Sequence, residues 1–318
     1  MADGGHAMKT LSLAKAVEFY LRQRRQLGFP LKEDGQMLAQ LVGYASERNH
    51  RGPLTNQLAL AWAQAPAQAS RLWWARRLDV VRRFATFWRA FDPRTQVPPP
   101  GALGPSYRRR AVHLYTPQEI AALMQSALEL GGIRGLSFQA LVGLLACTGL
   151  RIGEALRLHE QDIDWTSALL TVRHSKLGRS RCLPLQASAL NALNTYWQKR
   201  RKYLRQRDPT PLFIGQNGRA IAYSQAAATF RALRQRLGWN QQPLPRWHDL
   251  RHTFAVRCLL DWSSRSGEVG QKVLSLATYL GHSQIQGTYW YLSAVPELLA
   301  LTHARWSELS TQPGGAHA

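Results

Sequence analysis

The chain has 318 residues, and 41 lysines and arginines against 19 acidic residues give it a formal net charge of +22. Its 45% of hydrophobic residues is ordinary for a globular protein, and its length suits two domains or one large one. The sequence holds no apolar run of about eighteen residues and no secretory signal at its start, so neither a membrane span nor export is expected. A positive excess this large is typical of proteins that bind nucleic acid.

Positive charge is present in both halves of the chain. Residues 1–112 contain 18 basic and 7 acidic side chains, and residues 113–318 contain 23 and 12. This even distribution predicts that both halves contact phosphates, whereas a single basic tail would concentrate the charge at one end. A solvated basic surface without a specific partner is the alternative interpretation.

Residues 1–91 are predicted to form an all-helical DNA-binding domain. Apolar residues recur there at helical spacing with lysines and arginines between them, and glycines and prolines separate the helices. The fourth helix is the most basic, and we expect its Arg76, Arg77 and Arg83 to face DNA. A plain helical bundle with solvated arginines is the alternative. The predicted helices cover residues 10–28, 32–48, 54–64 and 69–91.

Residues 92–112 are predicted to form an interdomain linker. Its prolines and glycines, including the run Val97-Pro-Pro-Pro-Gly101, cannot continue a helix or a strand. Arg108, Arg109 and Arg110 would suit a strap that lies along a DNA phosphate backbone. An ordinary charged spacer is the alternative.

Residues 113–310 are predicted to form a mostly helical domain with a small β-hairpin, followed by a frayed tail at 311–318. Thr116, Pro117 and Glu119 mark its first helix, because they suit the N-cap, the first position and the first turn. Residues 162–165 are typical of a turn. The predicted helices cover about 116–130, 136–148, 151–158, 187–205, 223–237, 248–262, 269–280, 284–292 and 295–309, and the predicted strands cover 169–172 and 181–185.

The first motifs of this domain that indicate a chemical function contain basic residues. After a turn of small residues, Arg151 is followed three residues later by Glu154. The loop between the two predicted strands carries Lys176 and Arg179, and Arg181 begins the second strand. We expect Arg179 and Arg181 to contact DNA, because cationic side chains beside a hairpin can bind phosphates.

A His-x-x-Arg motif and a Leu-Gly-His motif follow. His248 and Arg251 are three residues apart, which places them on one face of a predicted helix. Gly281 is predicted to end a helix and to leave His282 at a turn. Tyr291 follows His282 by nine residues, on a short predicted helix.

Together these motifs resemble the tyrosine recombinase (phage-integrase) family over roughly residues 113–310. In that family an arginine motif, a hairpin lysine, His-x-x-Arg, Leu-Gly-His and a tyrosine nine residues later occur in this order. The resemblance implies a helical core-binding domain and a mostly helical catalytic domain with a β-hairpin. It also implies an enzyme that breaks and rejoins DNA through a 3′-phosphotyrosine, without ATP, metal or other cofactor.

Phosphodiester cleavage needs an anion clamp and a nucleophile. Arg151 and Arg251 are the predicted clamp on the non-bridging oxygens, because guanidiniums stay charged and bind phosphate in a planar, bidentate way. The alternative is a surface phosphate contact or a salt bridge, such as one between Arg151 and Glu154. Tyr291 is the predicted nucleophile. Tyr289 is the rival, and an aromatic cluster such as Tyr289-Trp290-Tyr291 is often a packing feature, but the nine-residue spacing from His282 favours Tyr291.

The remaining roles are implied by the resemblance. Lys176 would give a proton to the leaving 5′ oxygen as the general acid. His248 would assist as general base toward the tyrosine, and His282 would donate to a phosphate oxygen. Glu154 would support the arginines rather than act as an acid. Each of these side chains could instead be a solvated charge, a helix cap or a hydrogen-bond partner in the core.

No metal site is predicted. Cys147, Cys182 and Cys258 lack Cys-x-x-Cys spacing, which disfavours both a zinc site and a disulfide framework. His248 and His252 have the i, i+4 spacing of a helical zinc site. However, no glutamate lies between them at the required place and no third ligand is evident.

The sequence therefore predicts a site-specific DNA recombinase or integrase for integration, excision or transposition of a mobile element. The expected partners are double-stranded DNA at a recombination site, further copies of the chain in a tetramer on two DNA sites, and accessory recombination proteins. The expected location is the cytoplasm of a bacterium, at the nucleoid. The alternatives are a topoisomerase IB-like enzyme that nicks and rejoins one duplex, and a non-catalytic architectural protein. A metal-dependent transposase is disfavoured because the scarce acids do not suggest three converging carboxylates.

Two features depart from the family pattern. The segment 261–270, between the His-x-x-Arg helix and Leu-Gly-His, is longer than the short turn usual in the family. The N-terminal half carries no matching motif, so its assignment as a core-binding domain rests on position, helicity and charge.

Overall fold

The computed structural model describes residues 12–107, 111–173, 180–205, 211–265, 269–281 and 288. Within these residues the secondary structure is mainly α-helical with one small antiparallel sheet, which confirms the fold class expected from the sequence. The chain forms two compact units, residues 1–110 and 111–318. In the part of the chain described, no helix is both long and apolar enough to cross a membrane.

The helices of the first unit are α1 (Leu13–Gln26), α2 (Lys32–Glu47), α3 (Asn56–Gln64) and α4 (Arg71–Trp88). All lie where the sequence predicts helices. Ser12, Thr55 and Ser70 cap α1, α3 and α4, because each side chain accepts a backbone N–H three residues later. Such a bond satisfies a donor that has no partner within the helix.

The apolar faces of these helices meet in one core. Leu38 and Leu41 of α2, Trp62 of α3 and Phe84 of α4 are fully buried there. Phe84 also lies edge-on to Tyr20 of α1, with 5.6 Å between the ring centroids. Large aromatic side chains contribute strongly to a core of this size.

The chain that follows α4 continues along the same core. The backbone N–H of Gln96 donates to the Leu54 carbonyl at 2.9 Å, and the side-chain oxygen of Gln96 accepts the Asn56 N–H at 2.8 Å. Val97 and Leu103 pack against the buried cluster. This part of the predicted linker is therefore attached to the first unit rather than extended away from it.

The helices of the second unit are α5 (Pro117–Leu128), α6 (Gly132–Thr148), α7 (Ile152–Ala155), α8 (Ala187–Leu204), α9 (Tyr223–Arg236), α10 (Trp247–Arg265) and α11 (Val269–Leu280). The strands are β1 (Ile163–Asp164), β2 (Leu169–Val172) and β3 (Arg181–Pro184), antiparallel in the order β1-β2-β3. In the β2–β3 register Leu170 pairs with Leu183 and Val172 pairs with Arg181.

Helix α6 lies at the centre of the second unit. Phe138, Leu141 and Leu145 are buried in its core, and α6 contacts α5, α7, α8 and α10. A helix that is apolar on most faces is expected to be enclosed in this way. The helix ends at Gly149, whose φ of 62° turns the chain toward Arg151.

Some elements differ from the sequence prediction. Helix α6 begins earlier than predicted, because Gly131 and Gly132 adopt positive φ angles and turn the chain directly into it. Strand β1 occupies part of the predicted turn, and two residues are too few to show an alternating pattern. Apart from Thr288, the helices predicted at 284–292 and 295–309 lie outside the described residues.

Gly135 of α6 is expected to tolerate no side chain. A Cβ atom there would lie 2.5 Å from the carbonyl oxygen of Leu128 and 3.1 Å from that of Ala127, so the backbone after α5 would have to move. We expect Gly135→Ala to lower the free energy of unfolding by about 1–3 kcal/mol. Urea unfolding followed by tryptophan fluorescence measures this change.

Gly143→Ala is the matched control in the same helix. A Cβ atom at Gly143 would lie 3.4 Å from the Met124 Cε, which is the end of a flexible side chain. Because alanine favours helix more than glycine, this variant should be neutral or stabilised by up to about 1 kcal/mol. Equal stability of the two variants would contradict the packing described for Gly135.

Candidate active site

Several predicted site residues meet at the C-terminal end of α11. Gly281 follows this helix with a φ of 68°, a left-handed conformation that glycine adopts without strain. The last carbonyls of a helix lack partners within it and carry partial negative charge. Here three consecutive carbonyls accept hydrogen bonds from three arginines, which we call the arginine cluster. The carbonyl of Tyr279 accepts from Arg181 at 2.9 Å, that of Leu280 from Arg251 at 2.7 Å, and that of Gly281 from Arg151 at 3.3 Å.

Arg251 joins the ends of two helices. It lies on α10 with 1% of its surface exposed, and its Nη1 donates to the Gly149 carbonyl at 2.9 Å while its Nη2 binds Leu280. A buried guanidinium is stable only where acceptors replace water, and the ends of α6 and α11 supply them. A DNA phosphate can reach Arg251 only if the atoms that cover it move.

Arg151 is the most accessible member of the arginine cluster. It precedes α7, and its Nη1 donates to Glu154 Oε1 at 2.9 Å while its Nη2 donates to Gly281. Its side chain keeps 28% of its surface exposed. A guanidinium that is fixed on one side and open on another is suited to binding an anion.

Glu154 is the carboxylate that Arg151 and Arg181 share. Arg181 donates from Nη1 to Oε1 at 3.2 Å and from Nη2 to Oε2 at 2.8 Å, and the Arg151 backbone N–H donates to Oε2 at 3.1 Å. Burial by itself raises the pKa of Glu154, but the hydrogen bonds and charges of Arg181 and Arg151 outweigh it and lower this pKa to about 2. Glu154 is therefore ionised at neutral pH and holds both arginines.

His248 lies on the first turn of α10 and retains an exposed surface. Its ring meets that of His252 nearly at right angles, with 4.6 Å between centroids. Partial burial of the imidazole, followed by the positive charges of Arg251 and Arg151, lowers the pKa of His248 to about 4, against a smaller opposing effect of Glu154. The ring is therefore neutral at pH 7 and able to accept a proton.

Arg246 and Asp249 fix the start of α10. The buried Asp249 carboxylate accepts the Arg246 backbone N–H at 2.9 Å and its guanidinium at 2.8 and 3.1 Å. The Tyr115 hydroxyl donates to the Arg246 carbonyl at 3.1 Å, and the Tyr115 backbone N–H donates to Thr253 Oγ1 at 2.9 Å. Sequence reasoning missed this support for His248, although an acid three residues after a helix start is a capping signal.

Within the described residues, His248 and His252 do not belong to a group that could hold a metal ion. No group of three or more His, Cys, Asp or Glu side chains there could hold a metal ion. The cysteines also differ in exposure, since Cys147 and Cys182 are exposed and Cys258 is half-buried.

Only part of the predicted site falls within the described residues. Arg151, Glu154 and Arg251 meet at the end of α11. The predicted site residues outside the described part of the chain are Arg108, Arg109, Arg110, Lys176, Arg179, His282 and Tyr291. Their roles remain predictions from the sequence.

Arg181 lies in a different environment from the one expected. Its side chain is 12% exposed, and its guanidinium binds Glu154 and the Tyr279 carbonyl. The structure thus shows contacts of Arg181 within the protein, and its contact with a DNA phosphate stays a prediction. The sequence could not show this, because Glu154 and Tyr279 are distant along the chain.

Arg77 in the first unit is also more buried than expected. It is 6% exposed, its Nη2 donates to the Trp62 carbonyl at 2.8 Å, and its guanidinium lies 3.8 Å from the Trp62 ring centroid. An arginine enclosed in this way belongs to the core. A contact of Arg77 with DNA stays a prediction, which the burial of its side chain disfavours.

Arg76 and Arg83 lie on the exposed side of α4. Arg76 forms an ion pair with Glu33 at 2.7 Å, and Arg83 forms one with Asp34 at 2.9 Å. Exposed pairs of this kind are weak and can exchange partners. A contact of these arginines with DNA remains a prediction.

The chain is similar to known proteins over most of its length. The Phage integrase family matches residues 114–297. A Sinorhizobium fredii protein with the provisional name integrase/recombinase y4rB is 38% identical over 90% of this chain and 94% of its own. Tyrosine recombinase XerC of Chlamydia pneumoniae is 26% identical over 63% of this chain and 60% of its own. The Tn1549 transposon integrase, solved with transposon right end DNA, has the same fold, with a TM-score of 0.65 at 17% identity over 95% of this chain and 100% of its own.

The Glu154 carboxylate is expected to make stability depend on pH in acid. Its pKa is about 2 in the folded protein against an ordinary value of 4.5. Its charge therefore stabilises the fold above about pH 5, and this stabilisation is lost as the pH falls through the folded pKa, a loss of about 3 kcal/mol. We expect Glu154→Gln to lack this loss in urea unfolding measured over the acid range.

Glu129→Gln is the control for Glu154→Gln. It removes the partner of Arg236 in an exposed ion pair, so it should cost less than about 1 kcal/mol at pH 7 and leave the acid dependence in place. If Glu154→Gln lost stability in acid as steeply as the wild type, the arginines would not be holding a buried carboxylate.

The imidazole of His248 is expected to titrate near pH 4, because partial burial and nearby arginines disfavour its charged form. Proton–carbon NMR of the histidine rings measures this midpoint. Removing one of the positive charges in Arg151→Gln should raise it. Arg236→Gln removes a charge that does not act on His248 and should leave it unchanged. A midpoint near 6.5 in the wild type would contradict the described environment.

Proposed function

The chain belongs to the phage integrase family of tyrosine recombinases, and we propose that it exchanges DNA strands at a specific recombination site through a covalent bond to Tyr291. The observation that carries this proposal is the arginine cluster at the end of α11. It places Arg151 and Arg251 beside a neutral imidazole, immediately before the segment that contains the tyrosine.

The proposed clamp on the scissile phosphate consists of Arg151 and Arg251. Attack on a phosphodiester adds negative charge to the non-bridging oxygens, and preorganised donors that stabilise such charge are typically worth about 3–4 kcal/mol each. Arg151 is accessible without rearrangement. Arg251 would engage the phosphate after its covering atoms move, and His282 would donate to the same oxygens.

In the proposed reaction the Tyr291 Oη attacks phosphorus and the bond from phosphorus to the 5′ oxygen breaks. The tyrosine proton passes to neutral His248, and Lys176 gives a proton to the departing 5′ oxygen. A 3′-phosphotyrosine and a free 5′ hydroxyl result. Because the phosphodiester bond energy is retained in the phosphotyrosine, a new 5′ hydroxyl can reverse the step and rejoin the strand.

The proposed organisation divides DNA binding between two domains. Residues 1–91 would be the core-binding domain, residues 92–112 the linker and residues 113–310 the catalytic domain. Arg76 and Arg83 support DNA binding by the first of these, because both are exposed cations. Arg108, Arg109, Arg110 and Arg179 would add phosphate contacts near the linker and hairpin.

The proposed partner is double-stranded DNA at a recombination site of a mobile element. The solved Tn1549 transposon integrase is in complex with transposon right end DNA, and the overall charge of +22 suits a polyanionic partner. Exchange of strands between two duplexes would bring four copies of the chain together, with accessory recombination proteins. The setting would be the bacterial cytoplasm, at the nucleoid, during integration, excision or transposition.

A covalent trapping experiment tests Tyr291. Wild type, Tyr291→Phe and Tyr289→Phe proteins are incubated with sheared genomic DNA of the organism that encodes the chain, in EDTA, and then denatured. We expect DNA to remain attached to the wild type and to Tyr289→Phe only, because a phenyl ring has no nucleophilic oxygen. Sequencing the attached DNA identifies the site.

The other outcomes of trapping are informative. Attachment that survives in Tyr291→Phe and disappears in Tyr289→Phe would transfer the nucleophile to Tyr289. Noncovalent binding by all three proteins without attachment would favour an architectural role. Attachment followed by relaxation of supercoiled plasmid, without exchange between duplexes, would favour a topoisomerase-like activity.

A further inference from the structure

The guanidinium of Arg181 binds groups within the protein on several sides. Its Nε donates to the Tyr279 carbonyl at 2.9 Å, and both Nη atoms donate to the two oxygens of Glu154. Its charge is paired with a carboxylate and only 12% of its side chain is exposed. Arg181 therefore has little surface left for a DNA phosphate and acts on the protein itself.

Arg181 also lies against the turn by which the chain leaves α11. A Cβ atom built on Gly281 would lie 2.9 Å from Arg181 Nη1 and 3.2 Å from its Cζ, so the turn fits against the guanidinium only with glycine. The next residue is His282, a predicted phosphate ligand. The chain therefore continues toward His282 and Tyr291 from a turn that contacts Arg181.

The backbone of Arg181 belongs to the stem of the β-hairpin. Arg181 begins β3 and pairs with Val172 at the end of β2, and the loop with Lys176 lies between these two residues. One side chain therefore connects the hairpin stem, the Glu154 carboxylate that holds Arg151, and the end of α11.

We propose that Arg181 is a positioning residue for DNA cleavage, which holds Arg151 through Glu154 and fixes the turn at Gly281. The proposal rests on the proposed function, because it assigns Arg181 to the same reaction. Arginine is required here because a guanidinium donates in several directions in one plane, whereas the ammonium group of lysine cannot match this fork.

Cleavage is measured by covalent trapping on the sheared genomic DNA used above, with Arg181→Lys and Arg181→Met. Displacement of reacting groups by a fraction of an ångström to an ångström typically costs about 10–100-fold in rate. We expect losses in that range, smaller for Arg181→Lys, with thermal unfolding to confirm that both variants fold. Unchanged trapping in both variants would overturn the proposal.

Arg173→Gln is the matched control. Arg173 follows β2 on the other side of the hairpin stem and also pairs with a buried carboxylate, that of Asp162. It has no contact with Glu154 or the end of α11 among the described interactions. We expect Arg173→Gln to trap DNA like the wild type. A loss of trapping in Arg173→Gln as large as in Arg181→Met would overturn the proposal, because any weakening of the hairpin stem would then suffice to lower cleavage.

Binding to a random-sequence duplex distinguishes positioning from phosphate contact. The slope of log affinity against log salt falls by about 0.9 for each phosphate contact that is lost. For a positioning residue, Arg181→Met should keep the wild-type affinity and salt slope while its cleavage falls. A slope that is smaller by about one, with affinity lost in proportion to cleavage, would make Arg181 a DNA contact and overturn the proposal.

A measurement that needs no DNA distinguishes a failure of this proposal from a failure of the proposed function. Carbon NMR of the Glu154 carboxyl should show its pKa rising in Arg181→Met, because the largest favourable partner of its charge is removed. An unchanged Glu154 titration would overturn the proposal even if no protein trapped DNA. A raised pKa together with no trapping by the wild type would support the positioning of Glu154 and contradict the recombinase function.

Discussion

The burial of guanidiniums against the end of α11 is the constraint on which the catalytic unit depends. A buried charge needs acceptors in place of water, and helix ends offer carbonyls that the helix itself leaves unpaired. Arg251 uses the ends of both α6 and α11 in this way. The left-handed glycines 149 and 281 are needed because each turns the chain away while leaving those carbonyls in reach. The same hydrogen bonds therefore connect α6, α10 and α11 and position the arginines of the site.

The contacts of these arginines also determine how charge is distributed in the site. Arg151 and Arg181 share the carboxylate of Glu154, Arg251 binds the carbonyls of Gly149 and Leu280, and the end of α11 adds partial negative charge beside all three guanidiniums. Partial burial, followed by the positive charges of Arg251 and Arg151, keeps the His248 ring neutral, and an incoming phosphodiester would offset those charges. In the proposed reaction Arg151, which is held in place and accessible before DNA arrives, would need little reorganisation when charge develops on the phosphate. The proposed phosphate contact of Arg251 would require the atoms that cover its side chain to move.

Sequence patterns predicted the elements well where the signal was local. The capping residues Thr116 and Glu119, the apolar run of α6 and the glycine after α11 each determine their own neighbourhood, and the structure contains a capping box and helix ends there. The environments of Arg77 and Arg181 were not predictable, because burial depends on partners far along the chain, such as Trp62 and Glu154. A basic residue on a helix or strand has the same appearance in sequence whether it faces DNA or a buried carbonyl.

We infer that Tyr291 cleaves DNA strands beside the arginine cluster. The most direct test of this inference is mass spectrometry of the wild-type protein after covalent trapping, nuclease digestion and proteolysis. We expect a peptide that carries a nucleotide remnant on Tyr291, joined through the 3′ phosphate. A remnant on Tyr289 or Tyr279, a 5′ linkage, or DNA cleavage with no modified tyrosine would contradict it.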